Sequence, residues 1–195
     1  NVATPPPHDG WSEQGPRLWV DALESAVDEM RICSPLFAEL SGIGVAGHMH
    51  GVTVLDKRGD VLRPCILWND TRAHAEAAAL GKQTGIQDLS GNIVLPGFTA
   101  PKLEWIRKNE PGVYQQIAKV VLPAAYLNFY LTGAYVADMS DSAGTSWLDV
   151  RKRGWSPELL AASHMLVDQM PRLVEGLQKA GVLKDELRRN WGLKN

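Results

Sequence analysis

Residues 43–72 read IGVAGHMHGVTVLDKRGDVLRPCILWNDTR. Two apolar runs, residues 43–46 and 52–55, flank a polar insert, Gly47-His48-Met49-His50-Gly51. A third run, residues 61–68, ends in Asn69-Asp70-Thr71-Arg72. Apolar runs of this length bounded by glycine and charge are strand candidates. Residues 56–60, DKRGD, are expected to form the hairpin turn between the second and third runs, with Gly59 free to take positive φ. The expectation is a sheet whose polar residues gather at strand ends, where open α/β sheets place their ligands.

Helical patterns surround that stretch. Residues 16–32 begin with proline and carry Leu18, Trp19, Ala22, Leu23, Ala26, Val27 and Met30 at three- and four-residue spacing, which predicts an amphipathic helix ended by Ser34-Pro35. An Ala-rich helix is expected over residues 71–83, broken by Gly85. Residues 91–98 read as a loop, after which Thr99 is the expected N-cap of a helix carrying Lys102, Leu103, Trp105 and Ile106. A short helix at 113–117, a strand at 119–122 and a helix at 124–131, opened by Pro123, follow. Residues 138–145, DMSDSAGT, read as an irregular polar segment suited to lining a site. Short helices are expected at 157–162 and 184–191. Alternating helices and strands define the class as α/β.

Composition narrows the function classes. Of 195 residues, 45% are hydrophobic, which excludes disorder, and 20 basic against 22 acidic residues give a charge of −2, without the basic excess that nucleic acid attracts. Cys33 and Cys65 have no metal-type spacing and are expected to be buried thiols of a cytoplasmic protein. No apolar run approaches the roughly 20 residues of a membrane span. The chain opens on Asn1, with Pro5-Pro6-Pro7 favouring an extended path, and reads as an excerpt that starts mid-protein.

Three groups of residues carry chemistry, each with a plainer alternative. His48 and His50 stand two apart, a spacing two metal ligands use, but no acidic or thiol neighbour completes a shell, so no metal is assigned. They are otherwise surface residues, or, as preferred, contacts to substrate hydroxyls, since neutral imidazole both donates and accepts. Trp68, Asp70 and Arg72 offer an indole face, a carboxylate and a guanidinium suited to a sugar, while Asn69-Asp70-Thr71 suit equally the capping of the next helix. Asp138 and Asp141 form a carboxylate pair for acid/base work or, as slightly favoured, a structural cap. A phosphate loop of the GxxxxGKS/T type is absent, as is the GxSxG nucleophile elbow.

At these residues the sequence resembles the FGGY family of carbohydrate kinases, and within it the xylulose kinase branch. The matching pieces are WSEQGPRLW, VAGHMHGVTVLD, VLRPCILWNDTR, SGNIVLPGFTAPKLEWIRKNEP and DMSDSAGTSWLDV. Gly97, Thr99, Lys102, Leu103 and Trp105 fit the family's first signature. The HMHG insert points to the xylulose branch, where Gln is more usual than His48 before the Met.

The resemblance implies a ribonuclease H-like domain of the actin and hexokinase type, incomplete at its N-terminal hairpin, with an open sheet edge there. It implies that residues 1–195 are most of the N-terminal, sugar-binding domain. The family's catalytic aspartate would lie in a Gly-Gly-Gly-Asp-Asn segment beyond Asn195, so no catalytic residue is assigned in this chain, and ATP and Mg²⁺ would be bound mainly by segments outside it. Met49 and His50 would contact the sugar, with Trp68, Asp70, Arg72, Phe98 and Asp141 as further cleft residues. The implied activity is phosphorylation of D-xylulose to D-xylulose 5-phosphate, expected only of the full-length protein. Kinases of another pentulose or polyol, and a non-catalytic sugar- or protein-binding domain, are the alternatives. The partner is D-xylulose or a related sugar, with neither nucleic acid nor membrane, and with a homodimer among the assemblies open to it.

Overall fold

The structure is a computed structural model describing residues 8–194. The expected extended path at Pro5–Pro7 lies outside the described residues. In chain order the elements are β1 (Glu13–Gln14), α1 (Pro16–Cys33), β2 (Thr53–Leu55), β3 (Cys65–Ile66), α2 (His74–Gly81), α3 (Ile86–Ser90), α4 (Thr99–Asn109) and α5 (Pro111–Tyr114). There follow β4 (Lys119–Val121), α6 (Pro123–Thr132), β5 (Val136–Asp138), α7 (Met139–Ala143), β6 (Leu148–Asp149), β7 (Gly154–Trp155), α8 (Pro157–Ala162), β8 (Arg172–Val174) and α9 (Asp185–Trp191).

Antiparallel ladders join β1 to β3 and β2 to β4, with Thr53 opposite Val121 and Gln14 opposite Cys65. Single bridges, Val52 to Ile66 and Leu55 to Val61, stitch the β2 and β3 regions into the expected hairpin. Its turn is DKRGD: Gly59 sits at φ 88°, and the Asp56 carboxylate accepts from the Arg58 and Asp60 N–H groups. A parallel pair, β5 with β8, and an antiparallel pair, β6 with β7, complete the strands. The main core packs Val52, Val54, Ile66 and Val120 against Leu103 and Ile106 of α4 and against Trp147, Leu159 and Leu160.

Several expectations need correcting. Residues 43–46 are not a strand: Gly42 and Gly44 alternate with Ile43 and Val45, Ile43 is 45% exposed, and no described strand forms a ladder with them. The third run shrinks to β3, because Pro64 lacks the N–H a ladder needs. The helix after Arg72 starts only at His74. Its expected cap, Asp70, already accepts from Ser12 N–H (2.6 Å) and Arg72 N–H (2.9 Å). Residues 139–143 are helical rather than irregular, because the Asp138 carboxylate caps α7 by accepting from Asp141 N–H at 2.9 Å. Thr99 does not cap α4; Phe98 occupies that position without a side-chain bond. On α1 the buried set is Pro16, Trp19, Val20 and Val27, while Leu18 and Met30 are exposed. Cys65 is buried but Cys33 is exposed.

Candidate functional site

A cavity of about 1160 Å³ opens between α6, the β5–α7 junction and the segment that follows β5's partner β8. Its walls are residues 40–47, Met49 and His50, one face of α6 from Ala124 to Thr132, the β5–α7 junction with Asp138 and Asp141, and residues 174–183. That volume is at or above the upper end of the roughly 300–1,000 Å³ usual for small-molecule sites.

His50 has the most determined geometry on that wall. Gly51 N–H donates to the Met49 carbonyl at 2.8 Å across it, making a three-residue turn with His50 at φ 63°. This is the strained hand of the γ-turn, in a region most non-glycine residues avoid. Its neighbours hold it there. The His50 carbonyl accepts from Lys102 Nζ (2.7 Å) and Thr99 Oγ1 (3.2 Å), and the imidazole stacks on Phe98 with centroids 4.5 Å apart. Its Nδ1 lies 2.8 Å from the Gly144 carbonyl.

That last contact sets the chemistry of the ring. A carbonyl only accepts, so Nδ1 carries the proton and Nε2 of the neutral ring is an acceptor. Burial lowers the His50 pKa below its ordinary value; the Gly144 bond opposes this, and the Lys102 charge adds to it. The neutral tautomer therefore prevails at pH 7, and it suits a hydroxyl donor. Met49 beside it is 55% exposed, an adaptable apolar surface on the cavity wall.

Asp141 shares the cavity wall. Burial, reinforced by the Asp138 charge, pushes its carboxyl up to about 6. The same short helix thus presents a carboxyl that protonates near neutral pH and, just after its end, the Gly144 carbonyl that aims His50.

The remaining sequence-nominated residues separate. Phe98 backs the imidazole rather than lining the cavity. Trp68 is half exposed and does not line it; its carbonyl lies where a Cβ on Gly97 would come within 2.4 Å. Asp70 and Arg72 are interior, their side chains 0% and 1% exposed, joined by two bonds of 2.9 and 2.7 Å. The Arg72 guanidinium also lies 3.6 Å from the Trp11 ring centroid and 4.8 Å from that of Trp105. These two therefore brace the fold away from the cavity. No group of three or more His, Cys, Asp or Glu residues able to hold a metal occurs among the described residues.

Two residues have no role at the site on sequence grounds: Lys102, placed only in the family signature, and Gly144. Lys102 is wholly buried, and burial pushes its ammonium down to about 7. The signal available was its place on α4, one turn from both Thr99 and Ile106, on the face that meets the core. Gly144 admits the imidazole: a Cβ there would stand 2.3 Å from His50 Cε1.

Comparison with known proteins defines the class. The sequence profile of the FGGY family of carbohydrate kinases, N-terminal domain, matches residues 1–195, and the chain belongs to that family. The fold is accordingly the ribonuclease H-like, actin/hexokinase-like one. The chain is 45% identical over 188 residues to a xylulose kinase of Klebsiella pneumoniae, covering 96% of this chain and 39% of that protein. A crystal structure described as a "xyloylose kinase" from Brucella ovis superposes with a TM-score of 0.98 at 50% identity, over 100% of this chain and 40% of that one. Xylulose kinase from Rhodospirillum rubrum gives 0.91 at 29% identity, with the same shares of 100% and 40%. The chain thus spans about two fifths of the length of the relatives it matches.

Proposed function

We propose that the full-length protein phosphorylates D-xylulose to D-xylulose 5-phosphate with ATP, and that this chain is most of its N-terminal, sugar-binding domain. The observation that carries the reading is His50: a neutral imidazole with Nδ1 committed to Gly144, on the wall of a cavity shared with Met49 and Asp141. A ketose offers hydroxyl donors, and an Nε2 acceptor takes one directionally. The 45% identity to a named xylulose kinase supports the choice of sugar.

ATP and Mg²⁺ follow from family membership. The described residues contain no cluster of three or more metal-ligating side chains, and Gly42, Gly44 and Gly47, which have GxGxxG spacing, neither follow a strand nor open a helix, so no step through the nucleotide and metal is derived from them. The residues described orient the sugar and discriminate among sugars. The charge of −2 supports excluding nucleic acid as a partner. No helix among the described residues is long and apolar enough to cross a membrane. A cytoplasmic homodimer completes the proposal, and sedimentation of the purified protein tests the assembly.

The test is turnover of D-xylulose, L-ribulose and glycerol by the full-length protein in an ADP-coupled assay. Preference for D-xylulose, with a raised sugar KM in His50→Ala, supports the reading. Preference for either other substrate overturns the choice of sugar, and an unchanged KM removes His50 from the site.

A further inference from the structure

We propose that Lys102 and Thr99 are positioning residues for the sugar site: from the first turn of α4 they hold the His50 backbone in its left-handed turn and so aim the imidazole. The inference rests on the reading of His50 as a sugar contact.

Lys102 is a costly residue where it stands. Lysine is almost never fully buried unless paired, and this one is 0% exposed with no carboxylate among its hydrogen-bond partners. Its ammonium is met by three carbonyl oxygens instead: His50 at 2.7 Å, Leu67 at 2.9 Å and Ile66 at 3.4 Å. Two of these belong to the end of the β3 region and one to the strained turn. The ammonium therefore ties the turn to the sheet.

The backbone does not need the ammonium to be satisfied. The Ile66 carbonyl also accepts from Val52 N–H at 3.1 Å, and the Leu67 carbonyl from Asp70 N–H at 3.2 Å. The His50 carbonyl also accepts from Thr99 Oγ1 at 3.2 Å. Without Lys102 Nζ every one of these oxygens keeps a partner. An apolar side chain of the same length would fill the space without burying a charge, and such exchanges are often neutral or stabilising. The fold alone thus gives the lysine little to do.

The turn does give it work. A strained backbone persists only where its surroundings over-determine it. At His50 the determinants are the Gly144 contact on the ring, the Phe98 stack, and the two α4 donors on the carbonyl. The Gly51–Met49 bond closes the turn locally; of the contacts that reach it from elsewhere in the chain, the two α4 donors act on the backbone itself. With them removed, that one local bond is left to hold the strained peptide against ordinary φ, and the ring drifts from the direction in which Nε2 meets a hydroxyl.

The experiment compares Lys102→Met, Thr99→Val, His50→Ala and the Lys102→Met/His50→Ala double variant in the full-length protein. Thermal stability, sugar KM and ATP KM are read for each. Expected for Lys102→Met is a thermal midpoint no lower than wild type, a sugar KM raised on the order of tenfold, and an unchanged ATP KM. Thr99→Val should raise the sugar KM a few-fold. The double variant should be no worse than His50→Ala alone, because both substitutions act through one ring. If His50→Ala raises the sugar KM while Lys102→Met leaves it unchanged, or if the two effects add, the positioning role is overturned. Should Lys102→Met not fold, Thr99→Val decides alone: a raised sugar KM supports the role and an unchanged one overturns it. An unaltered sugar KM in His50→Ala refutes the sugar-contact reading itself, a different failure visible in a different variant.

Discussion

Replacing Gly144 with alanine tests the aim of the imidazole without touching the imidazole. The backbone at Gly144 is ordinary, φ −77° and ψ 3°, so alanine fits its conformation. The added methyl is the difficulty, since its carbon would stand 2.3 Å from His50 Cε1 and 2.5 Å from Nδ1. Both atoms belong to a side chain, not to backbone, so the ring can swing aside while the fold survives. A suitable glycine-to-alanine exchange gains about 0.4–1 kcal/mol through the unfolded state. Overpacking costs about 1–3 kcal/mol. The net loss of stability should therefore stay within roughly 2–3 kcal/mol. The site loses more than its tolerance: the 2.8 Å bond from Nδ1 to the Gly144 carbonyl breaks, and Nε2 no longer points at the sugar. Losing one well-aimed hydrogen bond in a buried setting, about 1–3 kcal/mol, converts to about five- to 140-fold in kcat/KM for sugar. The assay is steady-state turnover with sugar varied at saturating ATP, alongside a thermal melt. A folded Gly144→Ala variant with sugar KM within twofold of wild type would refute the argument, because the ring cannot both stay in place and share that space.

Other outcomes follow from the same geometry. Asp70→Ala should cost about 3–5 kcal/mol in urea unfolding, as it strips a bidentate partner from a buried guanidinium, yet leave sugar KM alone in the folded fraction; little loss of stability with a raised KM would return Asp70 to the site. Asp141→Asn should raise the thermal midpoint at pH 8. The native carboxyl titrates near 6 against 3.8 in the unfolded chain, so its contribution is most favourable below about pH 4 and is lost as pH rises through 6. The gap between variant and wild type should therefore close on acidification, and a gap constant from pH 8 to 4.5 would contradict the shift. N-ethylmaleimide should modify exposed Cys33 and spare Cys65, whose thiol burial pushes up to about 11; peptide mass mapping reads the order, and equal rates would contradict the burial.

Much of the scaffold was legible because local signals agreed. Pro16 and Pro157 announce helix starts, and the observed elements, Pro16–Cys33 and Pro157–Ala162, follow those signals closely. DKRGD makes its turn because glycine supplies the positive φ and Asp56 accepts the spare N–H groups. The WNDTR segment shows the limit. Its polar groups look alike in sequence, but Arg72 is fixed by Trp11 and Trp105, residues distant along the chain. The site was legible as a cluster and not as a mechanism. In HMHG the residue with conformational freedom is Gly51, yet it is His50 that takes the left-handed backbone, because α4 bonds its carbonyl. Lys102 reads as one residue of a helix and of a family signature, and its burial shows only once the face it occupies is known. Residues 43–46 are as apolar as a strand, but a strand also needs a neighbour, which composition does not disclose.

Glu13 illustrates how one residue can set a thermal character. One of its oxygens accepts from Arg63 Nη2 at 2.5 Å and lies 2.7 Å from Arg72 Nη1 as an ion pair, and the row continues from Arg63 to Glu110 and from Arg72 to Asp70. Five charges thus alternate in sign across β1, the end of the hairpin and the start of α5. Hydration of ions weakens on warming, so the penalty for keeping such a row dry shrinks as temperature rises. The flank around Glu13 is accordingly built to soften late in a melt, after segments that rely on apolar contact alone, and neutralising that single carboxylate would take one partner from each guanidinium, leaving Arg63 to Glu110 and Arg72 to Asp70.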